Sequence, residues 1–505
     1  MDADAALAVF NVTVDLFGLL FVGGLTTLLT LYVIDRRQTT HAVRRNFPVI
    51  GRFRYLFEHL GEFFRQYFFA MDREEMPFNR ADRSWVYRAA KDADATIAFG
   101  STRDLRGVGT ALFVNFPYPT QDEDAQATSA VVIGAGARHP YATDSVFHIS
   151  GMSFGAISKP AVQALSAGAA RAGIWMNTGE GGLSPWHLHS GADLVFQIGT
   201  AKYGVRDAHG QLSDERLREV AAHAQVRMFE IKLSQGAKPG KGGILPGAKV
   251  TEEIARIRLI EPGHDSISPN RHRDISNTTE LLDRVAHVRE VTGKPTGIKT
   301  VIGSQAWLVE LCETIKTRGV HAAPDFLTID SADGGTGAAP ASLIDYVGLP
   351  IRESLPMVVG TLAVYGLRER IKVIASGKLI NPGEVAWALC VGADFVVSAR
   401  GFMFALGCIQ ALQCNKNTCP TGITTHDKEL QRGLDVTDKT ECVYQYAKNL
   451  RKEVGLIAHA CGVAEPRLLR GWHCRIVQQN GRSIALDQLY PGLMAEADGA
   501  AVSAR

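Results

Sequence analysis

Three cysteines in the last third of the chain have the spacing of a metal or cluster site. Cys408, Cys414 and Cys419 fall within twelve residues, and Pro420 follows the last of them. In a reducing compartment such a group binds a metal or cluster more often than it forms disulfides, although three unrelated buried cysteines are the alternative. Zinc usually takes four ligands and a CxxC pair. Three thiolates on one loop favour a three-iron iron–sulfur cluster, with His426 nearby and no obvious fourth ligand.

Two lysines lie inside apolar, strand-like segments, where an unpaired ammonium group is costly. They are Lys232, within Met228–Ser234, and Lys299, within Pro295–Val301. A lysine beside a flavin can stabilise the negative charge at N1 of the reduced ring. A lysine at a strand end that forms a salt bridge with a neighbour is the alternative.

Short glycine motifs in the second half of the chain could bind a phosphate group. Ser376-Gly377-Lys378 and Ala399-Arg400-Gly401 each follow an apolar segment. A GGTG motif precedes them and consists of Gly334, Gly335, Thr336 and Gly337. Glycines allow backbone N–H groups to approach a phosphate closely, although ordinary turns between helices and strands are the alternative.

These residues follow a regular alternation of apolar segments and helical patterns. The segments are Phe147–Gly151, Gly173–Gly179, Leu194–Gly199, Met228–Ser234, Pro295–Val301, Phe326–Asp330, Lys372–Ser376 and Phe395–Arg400. Helical patterns include Lys159–Ala172, Glu280–Val291, Ala306–Thr317 and Pro382–Leu389. The alternation predicts a parallel α/β sheet, and eight strands predict its closure into a (β/α)8 TIM barrel, with a doubly wound open sheet as the alternative. The polar ends of the segments would then meet at the face where active sites lie.

One interval between predicted strands, from Gln235 to Lys294, is much longer than the others. It contains the sequences PGKGG and SPNRHRD. A long glycine-rich loop above a barrel mouth is typical of a lid or substrate loop. Its lysines and arginines favour an anionic substrate.

The first forty residues are predicted to anchor the chain in a membrane. Leu16–Ile34 has nineteen residues without a charge, which at ~1.5 Å each nearly span the hydrocarbon core. Asp35-Arg36-Arg37 follows, and positive charge on this side predicts that the body of the protein is cytoplasmic. A cleaved signal peptide fits less well, because Asp2 and Asp4 stand where basic residues are expected. A buried soluble helix is the third possibility.

The patterns divide the chain into four parts. We expect a transmembrane anchor over 1–40, a helical and linker region over 41–140, the barrel with its cysteine loop over 141–430, and a helical extension over 431–505. Phe47–Phe69 is aromatic, arginine-rich and amphipathic, and could lie on the membrane surface or cap the barrel. The net charge of +2 gives no indication of nucleic-acid binding.

Five long motifs resemble the FMN-binding synthase domain of glutamate synthase. They are MSFGAIS at Met152–Ser158, NTGEGG at Asn177–Gly182, IKLSQGAKPGKGG at Ile231–Gly243, DGGTGA at Asp333–Ala338 and GCIQALQCNKNTCPTG at Gly407–Gly422. The resemblance runs in order from about Phe147 to about His426. The chain resembles the stand-alone, membrane-anchored members of the family, and more distantly the large subunit of N-methylglutamate synthase.

The resemblance implies FMN, a [3Fe-4S] cluster and reduction of 2-iminoglutarate to L-glutamate. It assigns the cluster to Cys408, Cys414 and Cys419, flavin contact to Lys232, and 2-oxoglutarate binding to Gln235, Lys238 and Arg258. Taken with the motifs above, we expect the cofactor to be bound by Met152, Ser153, Asn177, Glu180, Lys232, Lys299, Gly334, Gly335, Thr336, Gly337, Gly377, Arg400 and Gly401. Electrons would pass from a ferredoxin or separate reductase through the cluster and FMN to an imine formed from a 2-oxo acid and ammonia or an amine.

Several positions depart from the family pattern. The chain contains no glutaminase domain with an N-terminal cysteine, and its first cysteine is Cys312. Asn415 stands where the family has a histidine, Asn277 replaces a substrate-binding serine, and Thr279 replaces an acid that couples two sites. These changes leave two alternatives open, an N-alkylamino acid synthase and a non-catalytic electron-transfer subunit. Retention of the carboxylate-binding residues argues against the second.

Overall fold

A computed structural model describes residues 3–494 of the 505-residue chain and divides it into two compact units. The first unit extends to Asp82 and contains helices Ala3–Arg37, Ala42–Asn46 and Gly51–Phe64, followed by a π-helix at Arg65–Phe69. Leu7–Arg37 is long and apolar enough to cross a membrane, and none of its most apolar window is buried. A signal sequence has the same properties, so the helix itself is established and its role remains a prediction.

The second unit, from Arg83 onward, contains the predicted barrel. Its strands are β1 (Phe147–Ile149), β2 (Met176–Asn177), β3 (Leu194–Ile198), β4 (Val226–Lys232), β5 (Thr296–Val301), β6 (Phe326–Asp330), β7 (Lys372–Ser376) and β8 (Phe395–Ser398). Each strand pairs in parallel with the next, and β8 closes the barrel on β1, with Val396 opposite Phe147. The TIM barrel is therefore confirmed and an open sheet is excluded.

Several strands end earlier than predicted, because their last residues turn into the loops of the top face. After β2, Gly179 adopts φ +64°, which an extended strand does not allow. After β8, Arg400 begins a helix instead of ending a strand. The candidate site residues that follow these strands therefore lie on short loops, which the rigid strands hold in position.

Four helices lie close to the predicted patterns, namely Lys159–Ala172, Thr278–Thr292, Gln305–Arg318 and Pro382–Val391. Further helices between or after the strands are Asp214–Ala222, Glu252–Arg258, Ala341–Tyr346, Ile351–Val364 and Arg400–Ala405. Local signals set their ends. Asn381 accepts a hydrogen bond from Glu384 N at 3.0 Å before a proline at the first helical position. At the other end of Lys159–Ala172, Gly173 adopts φ +65°.

The segments flanking the barrel are less purely helical than predicted. The C-terminal segment contains helices Lys428–Gln431, Val436–Ala460 and Leu486–Leu489, but also strands Cys474–Val477 and Ser483–Ala485. These two strands form an antiparallel sheet with Ala111–Phe113, from the other end of the unit. Strands Val131–Ile133 and Tyr141–Thr143 form a hairpin, and helix Arg80–Ala90 precedes both. Residues 495–505 of the predicted extension lie outside the described part.

The long connection between β4 and β5 is an ordered loop. Strands Ile244–Leu245 and Ser266–Ile267 pair antiparallel within it, and helix Glu252–Arg258 lies between them. Thr251 caps this helix by accepting from Ile254 N, and the helix ends at Leu259 in the left-handed conformation. The hairpin and helix fix the last side chain of the helix, Arg258, in a buried position.

Candidate active site

The loops after β1 and β2 pack tightly against each other at the top of the barrel. A Cβ atom at Gly179 would lie 2.6 Å from Ser153 N, so only glycine fits there. Asn177 Oδ1 accepts from Gly179 N at 2.9 Å and holds the turn. Met152, Ser153 and Asn177 are all buried. Three of the predicted cofactor-binding residues therefore form one wall of the barrel mouth.

Glu180 is the centre of a charged cluster at this mouth. Lys232 Nζ lies 3.0 Å from Glu180 Oε1 and also donates to Gln235 Oε1. Burial raises the pKa of Glu180, but the charges of Lys232, Lys238 and Arg258 outweigh burial and lower this pKa overall. Lys232 thus contacts this carboxylate directly, Lys238 and Arg258 lie near enough for their charges to act on it, and Gln235 joins the cluster through Lys232.

Lys238 and Arg258 are the two cations of this cluster that could bind a carboxylate substrate. Lys238 Nζ donates to Ala338 O at 3.0 Å, and burial lowers the pKa of Lys238 to about 8. Arg258 is 4% exposed, and burial lowers its pKa. Its Nη1 donates to Ser266 Oγ at 3.2 Å, whereas within the described residues its Nε has no hydrogen-bond partner. An anion in the mouth could therefore accept hydrogen bonds from this guanidinium.

Lys299, the second lysine predicted from its place in a strand, is paired inside the barrel. Its Nζ lies 3.2 Å from Asp330 Oδ2, and both side chains are 7% exposed. Burial lowers the pKa of Lys299, but the carboxylates of Asp330 and Glu230 raise it by more. The lysine is therefore charged, so the proposed flavin contact and the salt-bridge alternative are compatible.

Glu230 is a buried acid that the sequence analysis did not identify. Its Oε1 accepts from Asn177 Nδ2 at 2.8 Å and from Gln197 Nε2 at 2.7 Å, and its Oε2 accepts from Thr328 Oγ1 at 2.6 Å. Glu230, Asn177 and Thr328 line a small cavity inside the barrel together with Lys299. The sequence does contain a signal for this residue, because Glu230 is an acid inside the apolar strand β4, two residues before Lys232.

We expect Glu230→Ala to destabilise the barrel strongly. The substitution leaves three buried donors unpaired and removes one negative charge near Lys299, a loss of roughly 3–5 kcal/mol for a broken buried network. The midpoint temperature of thermal unfolding should fall by several degrees. Glu261→Ala, at an exposed position of the long loop, is the matched control and should leave the midpoint unchanged. Equal midpoints for the two variants would contradict the structural role of Glu230.

The loops after β6 and β7 offer groups for a phosphate. Gly377 has φ +135°, and a Cβ there would collide with Ser331 Oγ. Ser331 is fully buried, and its hydroxyl lacks a hydrogen-bond partner in the part of the chain that the structure describes. Buried hydroxyl groups are normally paired. The free hydroxyl beside a glycine loop fits the phosphate of the expected FMN, and Ser331 was missed because it precedes the GGTG motif.

The GGTG motif packs directly on the start of helix Arg400–Ala405, which follows β8. A Cβ at Gly335 would lie 2.8 Å from Arg400 Cδ, and Arg400 donates to Asp333 O. Burial lowers the pKa of Arg400 to about 10, so the guanidinium stays charged at neutral pH. Thr336 Oγ1 accepts from Gln235 Nε2 at 2.9 Å, which links this motif to the charged cluster. Of the remaining predicted glycines, Gly334 and Gly337 lie in the GGTG motif and Gly401 lies in helix Arg400–Ala405.

Cys408, Cys414 and Cys419 lie on one loop after helix Arg400–Ala405. Two side chains from outside the loop hold its backbone: Tyr87 Oη donates to Cys408 O at 2.5 Å, and Lys249 Nζ donates to Cys414 O at 3.2 Å. Three thiols on an anchored loop suit a cluster by donor chemistry. Among the described residues, however, no group of three or more His, Cys, Asp or Glu side chains is arranged to hold a metal ion.

The departures from the family pattern have structural partners. Asn277 Oδ1 accepts from Glu280 N at 2.9 Å and caps helix Thr278–Thr292, so this side chain serves the helix start. The main-chain oxygen of Thr279 accepts from Arg318 Nη1 at 3.2 Å.

His426 Nε2 lies 2.8 Å from Gly155 O, and burial lowers the pKa of His426 to about 4. This ring nitrogen is therefore engaged with the loop after β1.

Known proteins resemble the chain over most of its length. Residues 120–464 match the family described as the conserved region in glutamate synthase. A glutamate synthase large subunit-like protein, YerD of Bacillus subtilis (strain 168), is 40% identical over 498 residues, covering 91% of this chain and 94% of that protein. An archaeal glutamate synthase [NADPH] of Methanocaldococcus jannaschii is 35% identical, over 65% of this chain and 61% of its own length. The chain thus spans less than two thirds of that second relative.

Solved structures match at much lower identity. A flavocytochrome b2 mutant with benzoylformate has a TM-score of 0.46 and 13% identity, and the match covers 81% of this chain and 83% of that one. The sequence comparisons decide the family, since the matched family region exceeds half of the chain and YerD aligns over nearly its full length. The chain belongs to the FMN-binding glutamate synthase family of oxidoreductases.

Proposed function

We propose that this protein binds FMN and a [3Fe-4S] cluster and reduces a 2-imino acid, 2-iminoglutarate or a close analogue, to an L-amino acid such as glutamate. The observation that carries the proposal is the cluster of Lys232, Lys238 and Arg258 around Glu180 at the barrel mouth. A protein that only carried electrons would not need buried cations beside its flavin site. FMN, when bound, supplies the hydride for such a reduction.

The residues of the chain provide binding and orientation. Arg258 and Lys238 are suited to hold the two carboxylates of a 2-oxo diacid, because charge-assisted hydrogen bonds from buried cations fix an anion firmly. Positioning of the imine carbon against the flavin is then a large part of the catalysis. Lys232 and Lys299 supply positive charge for the reduced ring, and Ser331 with the Gly377 loop supplies hydrogen bonds for the phosphate.

Amino-acid formation tests the proposed function directly. Flavin-loaded protein, a chemical reductant, 2-oxoglutarate and ammonium should yield glutamate, detected by chiral chromatography and mass spectrometry. Protein from which the flavin has been removed is the control. A yellow protein that forms no amino acid from any 2-oxo acid would support the electron-transfer alternative instead.

An amine-linked reaction is the second candidate. Asn277 and Thr279 replace a substrate-binding serine and a coupling acid of the family pattern, and both make contacts at the start of a helix, so a different nitrogen donor is a specific alternative to test. Methylamine in place of ammonium, with the same 2-oxo acids, should then yield an N-methylamino acid. A product with methylamine but none with ammonium would favour this candidate.

The cluster proposal assigns its ligands to Cys408, Cys414 and Cys419. The support is the donor chemistry of three thiols on one loop whose backbone is held by Tyr87 and Lys249. When bound, the cluster supplies single-electron transfer, and we propose a ferredoxin or a separate reductase as the electron donor.

Cys414→Ala should lower the iron content of the purified protein to near zero, because each thiolate of a three-cysteine site is needed. FMN should be retained, because the proposed phosphate loops are separate from the cysteine loop. Cys442→Ala, a buried cysteine of helix Val436–Ala460, is the matched control and should keep its iron. Full iron content and an unchanged low-temperature EPR signal in Cys414→Ala would remove the cluster assignment.

We also propose that helix Ala3–Arg37 anchors the protein in a membrane, with the barrel in the cytoplasm. The support is the apolar length of Leu7–Arg37 and the arginines at its end. Deletion of residues 1–40 should move the protein from the membrane fraction to the supernatant while it stays yellow. Recovery of the full-length protein in a high-speed supernatant without detergent would contradict the anchor.

A further inference from the structure

An apolar stripe runs along the helix that follows the proposed anchor. Phe53, Leu56, Phe57 and Phe64 of helix Gly51–Phe64 recur at helical spacing and are 53%, 48%, 65% and 44% exposed. Phe68, in the following π-helix, is 74% exposed, and its ring lies 5.5 Å from that of Phe64. We call these five residues the aromatic stripe. So large an exposed apolar surface marks a contact with a partner or a membrane.

The other side of the same helix is polar. Arg54 and Glu58 are exposed there, turned away from the stripe by the helical period of ~100° per residue, and Arg65, the first residue of the following π-helix, is also exposed. The segment 35–69 contains seven arginines against three carboxylates. The helix itself has two arginines and two glutamates, so the excess positive charge lies mainly in the residues that precede it. An aromatic helix face beside a positively charged segment has the features of a helix that lies in a membrane interface.

A tightly packed turn, which we call the elbow, joins this helix to the end of the apolar helix. Asp35 is 1% exposed and accepts from Val49 N at 2.9 Å and from Arg52 Nε and Nη2, each at 2.8 Å. A Cβ at Gly51 would lie 2.8 Å from Val43 O, so the turn is closely packed. The first turn of the aromatic helix is therefore held beside the charged end of the apolar helix.

We propose that the aromatic stripe docks into the interfacial region of the bilayer, on the side where the apolar helix ends, with anionic phospholipid as its partner. This inference rests on the proposed membrane anchor. The elbow supplies continuity with the anchor, and the excess of arginines supplies charge complementarity to anionic headgroups. The aromatic rings bury their apolar faces among the acyl-chain ends, while the polar face remains in water.

Site-specific photocrosslinking of the full-length, flavin-loaded protein tests the docking. The protein is reconstituted in nanodiscs of mixed phosphatidylcholine and phosphatidylglycerol, with p-benzoylphenylalanine at Phe57. The same probe at Glu58, on the polar side, is the matched control, and at Leu20, within the apolar helix, it reports the anchor. Intact-mass spectrometry after irradiation identifies lipid adducts and the lipid class.

We expect the probe at position 57 to form several-fold more lipid adduct than the probe at 58, with phosphatidylglycerol above its molar share. Adducts from position 20 but not from position 57 would overturn the docking and leave the anchor intact. Crosslinks from position 57 to the protein itself would favour a helix that caps the barrel. Absence of lipid adducts at position 20 would instead refute the anchor on which the inference rests.

Discussion

Arg258→Ala should raise the KM for the 2-oxo acid by roughly tenfold to more than a hundredfold, since charge-assisted contacts are typically worth about 1.5–3 kcal/mol. The guanidinium is buried at the end of helix Glu252–Arg258, beside Glu180, and its Nε lacks a protein partner among the described residues. A truncated side chain leaves Lys238 as the principal cation for two carboxylates. We therefore expect the loss to appear in substrate binding, with FMN content unchanged.

Two further variants separate a substrate contact from a structural one. Arg256→Ala removes an arginine from the same helix at an exposed position and should leave the KM unchanged. Arg258→Lys keeps the charge but loses the bidentate geometry, so it should recover only part of the affinity. Titration of 2-oxoglutarate into the oxidised protein, monitored by the flavin absorbance, gives a dissociation constant for each variant. These constants allow the same comparison between variants as the KM values. Equal KM values for Arg258→Ala and Arg256→Ala would contradict the carboxylate role.

The barrel was predictable because strand-helix alternation is a local signal. All eight strands and four of the helices lie where apolar periodicity predicts them, since each apolar segment is buried and each helix has a local start or end residue such as Asn381 or Gly173. The C-terminal sheet was not predictable in the same way. Its strands Cys474–Val477 and Ser483–Ala485 are short, and their partner Ala111–Phe113 lies far away in sequence.

The residues of the charged cluster were predicted mainly from the motif resemblance. The buried residues Glu230 and Ser331 were not predicted. Ser331 acquires its importance only when the strands close and place it beside Gly377, and the partners that hold Glu230 come together at the same stage. Lys249 is a similar case, because its three carbonyl acceptors belong to residues far from it in sequence. Hydrogen-bond partners between distant segments leave no spacing pattern in a single sequence.

The cysteines bear on which nitrogen source the chain can use. Glutamine hydrolysis needs an activated, accessible thiol and groups that stabilise the oxyanion. The five cysteines outside the proposed cluster loop are Cys312, Cys390, Cys442, Cys461 and Cys474, and all are buried. Burial raises the pKa of Cys312 and of Cys461 to about 11, which keeps these thiols protonated and unreactive at neutral pH.

We therefore expect the purified chain, supplied with a reductant and 2-oxoglutarate, to form amino acid from ammonium or a simple amine and not from glutamine alone. The rate with glutamine should be lower by at least about a hundredfold, since an activating base by itself contributes ~10²–10⁴-fold to such a step. The measurement is product formation with ammonium, methylamine or glutamine supplied separately, with each glutamine stock freed of ammonia. Efficient product formation from glutamine without a partner protein would overturn this expectation, because it would require a hydrolytic nucleophile other than the buried thiols.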